Sequence, residues 1–241
     1  MHRQASKIIP IGLFLILSFG KGFGQVASPP NLPHLDSKPI HLGFMVGTNI
    51  MDNRYHVNFN SPALDTLSGA DVAPRLGFQL GVLMDVRLFS YANLRLLVTI
   101  MFGDRSYRFF RPEPDGSHTM LQMPWESVYL TVPLHLKLRA KRWNNFRPYL
   151  IGGLEYTFDL ASLRKIEPHE EDDILIRVKD NDFLSVAGVG FDFYLTYFKF
   201  AIELTTSSSI GDVLIHENTL YSDALSYLKS RFFRIAITFE G

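Results

Sequence analysis

Apolar side chains alternate with small or polar ones over long stretches, and this period of two constrains the fold more than any other feature of the sequence. Every even-numbered position from Leu76 to Leu88 is apolar, whereas the odd-numbered positions include Gln79 and Asp85. Because successive side chains of a β-strand point to opposite faces, each such stretch predicts a strand with one continuous apolar face. No segment has a helical period long enough to matter, and no apolar run of about 18 residues could form a membrane helix. The sequence therefore predicts an all-β fold.

The same alternation predicts eight strands. They lie near residues 40–50, 75–88, 93–105, 125–139, 146–158, 183–195, 197–207 and 229–240. Soluble strands average about five or six residues, whereas a tilted strand that crosses a membrane needs about 9 to 11. The predicted strands have membrane length.

The connections between these strands alternate between long and short. Long connections at 51–74, 106–124, 159–182 and 208–228 are separated by short ones at 89–92, 140–145 and 194–197. An antiparallel up-and-down transmembrane β-barrel in the bacterial outer membrane gives this order, with short turns and both termini on the periplasmic side. We therefore expect a closed, eight-stranded barrel.

Aromatic residues support this orientation. An interfacial girdle is expected at each rim of such a barrel. The aromatic residues near the short turns are Phe89, Tyr91, Trp143, Phe146, Tyr149, Tyr194, Tyr197 and Phe198. Trp125 and Phe158 are candidates for the opposite rim, and the last strand presents Phe233, Ile235, Ile237 and Phe239 on one face.

A soluble lipocalin-like barrel is the main structural alternative, since it also has eight strands but keeps its apolar face inside. Periodicity alone does not distinguish the two. The unbroken apolar faces, the glycines on the polar side and the aromatic rim favour the membrane barrel. In that barrel the charged residues of the polar faces would neutralise one another within the lumen. The predicted lumen polar network consists of Asp85, Arg87, Arg95, Lys137, Glu155, Asp192, Lys199 and Glu203.

The N-terminus predicts export from the cytoplasm. Basic residues precede the apolar stretch from Ile8 to Phe19, and small residues follow it, which is the pattern of a secretory signal peptide over residues 1–24, cleaved near Gly24. Residues 25–39 contain four prolines and predict an extended leader. The barrel should then occupy residues 40–241.

Charge and cysteine content exclude several partner and cofactor classes. The chain has 24 basic and 24 acidic residues and a pI near 7.1, so it lacks the basic excess of a nucleic-acid-binding protein. It has no cysteine and hence neither disulfides nor thiolate ligands. The acidic residues 169–173 could attract a divalent cation but have no recognised ligand spacing, so we predict a solvated loop there.

Motifs of the common enzyme classes are also missing from the sequence. His135 and Glu155 could in principle act as acid and base, because barrel hydrolases exist, but a structural role in the lumen is favoured. An eight-stranded barrel is normally filled by its own side chains, so an open channel is not expected. We predict no catalytic residue, metal, cofactor or small-molecule substrate.

Several segments together resemble the PorT family of Bacteroidota outer-membrane proteins. The match runs from about residue 38 to 240 in similar order and spacing. The segments that carry it are 38–44 leading to 47–49, 85–88, 93–96 leading to 102–105, 132–137, 144–153, 188–195, 197–200 and 203–204. One departure is Leu97-Val98-Thr99, where a proline-containing turn would be expected in the family.

The resemblance implies a non-enzymatic component or accessory of the type IX secretion system, which exports cargo proteins with C-terminal sorting domains and in some relatives supports gliding. It implies contacts with outer-membrane lipid and with other secretion-system proteins, and we expect a monomeric barrel. The alternative is a generic small outer-membrane barrel with a structural or adhesive role through its extracellular loops.

Overall fold

The computed structural model describes residues 29–57, 69–112, 118–160, 177–215 and 225–241. The predicted signal peptide and the acidic residues 169–173 lie outside this part of the chain. A 3-10 turn, Leu35–Ser37, precedes the first strand. No helix of the described residues is long and apolar enough to cross a membrane.

The described residues form eleven strands. These are β1 (Ile40–Val57), β2 (Gly69–Pro74), β3 (Leu76–Phe89), β4 (Ala92–Pro112), β5 (His118–Arg139), β6 (Phe146–Asp159), β7 (Arg177–Val178), β8 (Asn181–Tyr194), β9 (Lys199–Ser209), β10 (Leu214–Ile215) and β11 (Leu225–Glu240).

Eight of these strands close into an antiparallel barrel, as the alternation predicts. Strands β1, β3, β4, β5, β6, β8, β9 and β11 each pair with the next in this order, and β11 pairs back onto β1. Strand β2 continues β3 along β4, and β7 and β10 form a separate two-stranded sheet. Closure leaves the barrel wall without an unpaired strand edge in lipid, where unsatisfied backbone groups would be costly.

Several strands are longer at their loop ends than the sequence predicts. The pairing of β4 with β5 continues to Pro112 and His118, within residues 106–124, which the sequence predicts to be a loop. Strand β1 likewise extends to Val57 instead of ending near residue 50. Once a strand leaves the bilayer its outward face meets water instead of lipid, so the apolar run on that face ends while the backbone ladder continues. The alternation therefore detects only the membrane part.

The apolar faces point outward and the polar faces point inward. Leu76 is 72% exposed and Val82 is 62% exposed, whereas Gln79 and Asp85 on the same strand are buried in the lumen. A soluble barrel would show the opposite arrangement. The lipocalin-like alternative is therefore wrong for this chain.

The aromatic prediction is correct for the exposed turns but wrong for two tyrosines. Trp143 and Tyr197 stand 79% and 88% exposed at short turns, as expected of a girdle. Tyr149 and Tyr194 instead point into the barrel and are buried, because their positions have the inward parity of β6 and β8. Phe158 is exposed near the opposite rim, and the side chain of Trp125 lies outside what the structure describes.

Candidate functional site

Arg95 lies at the centre of an ion network in the periplasmic half of the lumen. Its guanidinium donates two hydrogen bonds to Asp85, at 2.7 and 2.8 Å, and one to Glu240 at 2.8 Å. It also donates to Glu203. Arg95 itself is completely buried. A buried guanidinium is tolerated when its N–H donors are satisfied and carboxylates offset its charge. Three carboxylates accept its hydrogen bonds here, and two lysines share the negative charge that remains.

Two lysines complete the network. The ammonium group of Lys137 lies 3.0 Å from the Asp192 carboxylate and 3.8 Å above the centre of the Tyr149 ring. That of Lys199 lies 2.5 Å from Glu240. The phenol of Tyr149 donates to Glu203 at 2.5 Å, so this tyrosine contacts both Lys137 and a carboxylate that Arg95 binds.

Space for Tyr149 is provided by a glycine on the neighbouring strand. Gly190 lies opposite Tyr149 in the register of β6 and β8. A Cβ atom at position 190 would lie 2.2 Å from Cζ of the tyrosine ring. A larger residue there would displace the ring from Lys137 and Glu203, so the absence of a side chain at position 190 is a packing requirement of the network.

A separate ion pair lies further along the lumen. Arg234 donates two hydrogen bonds to Glu155, at 2.8 and 2.7 Å, and one to the Ser207 hydroxyl at 3.1 Å. Beyond it, a cluster of buried apolar side chains fills the lumen toward the long loops. Its members are Met51, Met101, Tyr129, Leu184 and Phe232.

The structure brings together most, but not all, of the charged residues predicted to line the lumen. Asp85, Arg95, Lys137, Asp192, Lys199 and Glu203 meet in one network, while Glu155 pairs with Arg234 apart from them. Arg87 is half-buried at the end of β3, and no described residue forms an ion pair with it.

The sequence-based prediction omitted three residues of the lumen contacts: Tyr149 and Glu240 of the Arg95 network, and Arg234 of the separate pair with Glu155. The alternation of the last strand could have identified two of them. Positions 234 and 240 are even, opposite to the apolar positions that end at Phe239, and so they face the lumen. Tyr149 has the parity of Glu155 on β6.

His135, the histidine considered as a possible acid or base, is buried in the same lumen. Neither of its ring nitrogens has a hydrogen-bond partner among the described residues. A catalytic base needs a nucleophile or a substrate proton within hydrogen-bond reach and a group that orients the ring. The described residues supply neither, and they contain no cluster of three or more possible metal ligands.

The periplasmic mouth is closed by the segment that precedes β1. Leu35 is buried there, and its carbonyl oxygen lies 2.6 Å from Nε2 of His41 on the barrel wall. Asn31 binds the short turn between β5 and β6 through Asn145, at 2.8 Å. The described residues 29–39 therefore fold across the barrel opening, whereas the prolines predict an extended leader over residues 25–39.

Asp36 anchors this closing segment. Its carboxylate lies 2.9 Å from the Arg147 guanidinium, 3.3 Å from that of Arg142 and 3.6 Å from that of Arg139. The Tyr194 phenol donates to it at 2.8 Å. Burial alone would raise the pKa of Asp36, but Arg147, the tyrosine hydrogen bond and the other arginines outweigh burial, so the pKa lies below its usual value of 3.8.

The fold and its filled lumen define a small outer-membrane barrel whose inward charges form buried ion pairs and whose periplasmic mouth is capped. The family model for the outer membrane protein beta-barrel domain matches residues 23–214. The chain belongs to this family, and it is a protein of the outer membrane.

Solved structures of small outer-membrane proteins are similar to the chain. OprG from Pseudomonas aeruginosa is 17% identical with a TM-score of 0.41, over 84% of this chain and 94% of that one. AlkL, solved in lipid bilayers, is 12% identical with a TM-score of 0.42, over 92% and 97% of the two chains. Neisserial surface protein A is 10% identical with a TM-score of 0.38, over 81% and 95%. No curated protein sequence matches the chain.

Proposed function

We propose that the protein is a non-enzymatic component or accessory of the type IX secretion system, needed for export of cargo with C-terminal sorting domains. The observation that carries the proposal is the set of segments resembling the PorT family over about residues 38 to 240. Those segments contain network residues such as Asp85, Lys137 and Asp192. In the proposal the barrel is a monomer that contacts outer-membrane lipid and other secretion-system proteins, and it supports gliding where the host organism glides.

The filled lumen supports an accessory role over that of a conduit. A folded or extended cargo chain could pass through the barrel only if the Arg95 network and the Glu155–Arg234 pair were dismantled. Separating buried, hydrogen-bonded ions costs several kcal/mol for each pair. The protein would therefore act through its rims, its outer wall or its loops.

Deletion of the gene tests this proposal. The quantity to measure is the amount of sorting-domain cargo in the medium against that retained in the cells, in the deletion strain and in the strain complemented with the wild-type gene. Retained cargo that is released again by complementation supports the proposal. Unchanged export, with the protein present in the outer membrane of the parent strain, contradicts it.

Complementation with matched variants separates the surface from the lumen. Replacement of the exposed rim residues Trp143 and Tyr197 by Ala should impair export if partners bind the periplasmic turns, while the amount of folded barrel stays the same. His135→Gln, inside the lumen, should leave export intact in any folded barrel. Loss of export in His135→Gln at normal protein level would instead favour a barrel enzyme.

A structural or adhesive role through the loops is the second candidate. The observation that favours it is the β4–β5 ladder, which extends on the loop side to Pro112 and His118, well beyond the apolar part of those strands. Removal of residues 108–122 should then reduce attachment of cells to surfaces without changing cargo export. The secretion proposal predicts the same attachment in both strains.

A further inference from the structure

Three cations stand on the outer wall of the barrel immediately above its apolar belt. Arg54 on β1 lies directly opposite Lys229 on β11. Two residues nearer the membrane on each strand, Asp52 lies opposite Arg231. Arg54 and Arg231 are exposed and Lys229 is partly exposed. All three have the outward parity of their strands, which the exposed Ile50 and Phe233 define.

The height of this group on the barrel corresponds to the headgroups of the outer leaflet. The outward positions of β1 from Ile40 to Ile50 are apolar except for Thr48, and the outward positions after Ile50 are Asp52 and Arg54. About ten residues at about 3.3 Å each, tilted by about 40°, rise roughly 25 Å, which is the height of a barrel's apolar band. Because the short turns face the periplasm, Arg54 lies at the extracellular boundary.

The local charges leave a positive excess that no described side chain neutralises. Like charges directly opposite each other on neighbouring strands are destabilising, and Arg54 and Lys229 are such a pair. The Arg54 guanidinium has no ion pair or hydrogen bond with a described residue. Lys229 donates to a backbone carbonyl oxygen, that of Ile210, at 3.3 Å. Asp52, whose carboxylate accepts a backbone hydrogen bond from Asn53, is the carboxylate in register with this group.

An apolar groove of about 720 Å³ lies directly below the cations on the same outer wall. Ile50 and Phe233 line its upper part, next to Asp52 and Arg231 in the strand register. Small residues that include Ala187 and Thr206 face outward within it, so the surface is recessed between larger apolar side chains. The guanidinium of Arg231 lies 4.5 Å above the Phe233 ring and is thereby held at the upper edge of the groove.

We propose that this surface is a binding site for a phosphorylated glycolipid of the outer leaflet. The acyl chains would occupy the groove and bury its apolar surface. A headgroup phosphate would bind between Arg54, Lys229 and Arg231. Guanidinium groups bind phosphate oxygens in bidentate geometry, and an anion at this position removes the repulsion between the opposed cations. Because the recessed apolar surface and the excess positive charge are adjacent, a single amphipathic ligand can contact both.

Lipid binding to the full mature barrel, purified in detergent, tests the proposal. Native mass spectrometry would measure the binding of lipopolysaccharide, of its enzymatically dephosphorylated form and of phosphatidylglycerol. We expect at least a tenfold preference for the phosphorylated glycolipid over its dephosphorylated form, and loss of that preference in Arg54→Gln/Arg231→Gln. Equal binding of all three lipids by the wild-type barrel would overturn the proposal.

Matched variants keep this test independent of folding. Lys38→Gln/Lys141→Gln removes two exposed charges at the opposite rim and should retain the preference. Thr206→Trp, which fills the groove, should weaken binding of both glycolipid forms, whereas Val132→Trp on the far wall should not. The heat-dependent shift in gel mobility of each variant would report a folded barrel. Folded Arg54→Gln/Arg231→Gln with unchanged preference would overturn the site.

Discussion

Arg95 on β4 and Asp85 on β3 face each other across one strand pair inside the barrel and share two parallel hydrogen bonds of 2.7 and 2.8 Å. The pair is bidentate, both side chains are fully buried, and the same guanidinium reaches Glu203 and Glu240 on the far side of the lumen. One side chain thus joins four strands. We therefore expect Arg95 to contribute strongly to the stability of the packed lumen.

Replacing Arg95 by Met should strongly destabilise the barrel. The change leaves Asp85, Glu203 and Glu240 buried with their main cation removed, and breaking a buried ion pair in this way costs about 3–5 kcal/mol. Urea unfolding of the barrel in lipid vesicles would measure the loss of free energy of unfolding. Arg87→Met, a change of the same chemistry at a half-buried position outside the network, should alter stability by less than about 0.5 kcal/mol. Equal effects would show that the network does not stabilise the fold.

Gly190→Ala tests the fit of Tyr149 into the network. The new methyl group would overlap the tyrosine ring, whose Cζ lies 2.2 Å from the position of an added Cβ. Overpacking of this kind costs about 1–3 kcal/mol. Gly152→Ala is the matched control, because an added Cβ there has no atom within 4 Å. Unfolding titrations of the two variants should therefore differ, and similar losses would contradict the assigned position of the ring.

Arginine on the outer wall should be tolerated according to depth. Val82 lies at the middle of β3 and is exposed to lipid, so Val82→Arg should cost about 2–4 kcal/mol. Phe89, at the periplasmic end of the same strand, is also exposed. Placing an arginine there should cost only about 0–1 kcal/mol, since a charge at the interface remains hydrated. Vesicle unfolding titrations would compare the variants, and equal costs would contradict the placement of the belt.

Acid should release the segment that closes the periplasmic mouth. The pKa of Asp36 is lower in the folded barrel than its usual value of 3.8, so its contacts contribute stability that is present above pH 3.8 and is lost as the pH falls through the lower folded value. Because the chain has no cysteine, Ser37→Cys can carry a single fluorophore. The anisotropy of that fluorophore should fall in the acid range at a midpoint below pH 3.8. Asp36→Asn should give low anisotropy at all pH values, and an unchanged acid transition in that variant would assign it to another group.

The sequence by itself determined the number of barrel strands, their closed up-and-down order and which face of each strand meets lipid, but it did not predict the short strands β2, β7 and β10. Strict alternation of apolar side chains such as Leu76, Phe78 and Leu80 can satisfy both lipid and backbone hydrogen bonding only in a closed barrel, so local pattern and global fold agree. The charged positions on the opposite faces also followed from parity. Beyond the bilayer the alternation of apolar side chains ends, so the sequence did not predict the extracellular ends of β1, β4 and β5.

Only the tertiary structure decided which charges meet. Arg95 and Glu240 are 145 residues apart, and their contact depends on barrel closure and on the stagger of each strand pair, which a pattern along one strand does not contain. The same reason explains why Glu155 pairs with Arg234 and why Arg87 stays outside the network. The closing segment is a further case. Its prolines predict an extended chain, but the arginines that bind Asp36 come from β5, β6 and the turn between them, and they are brought together only when the barrel forms.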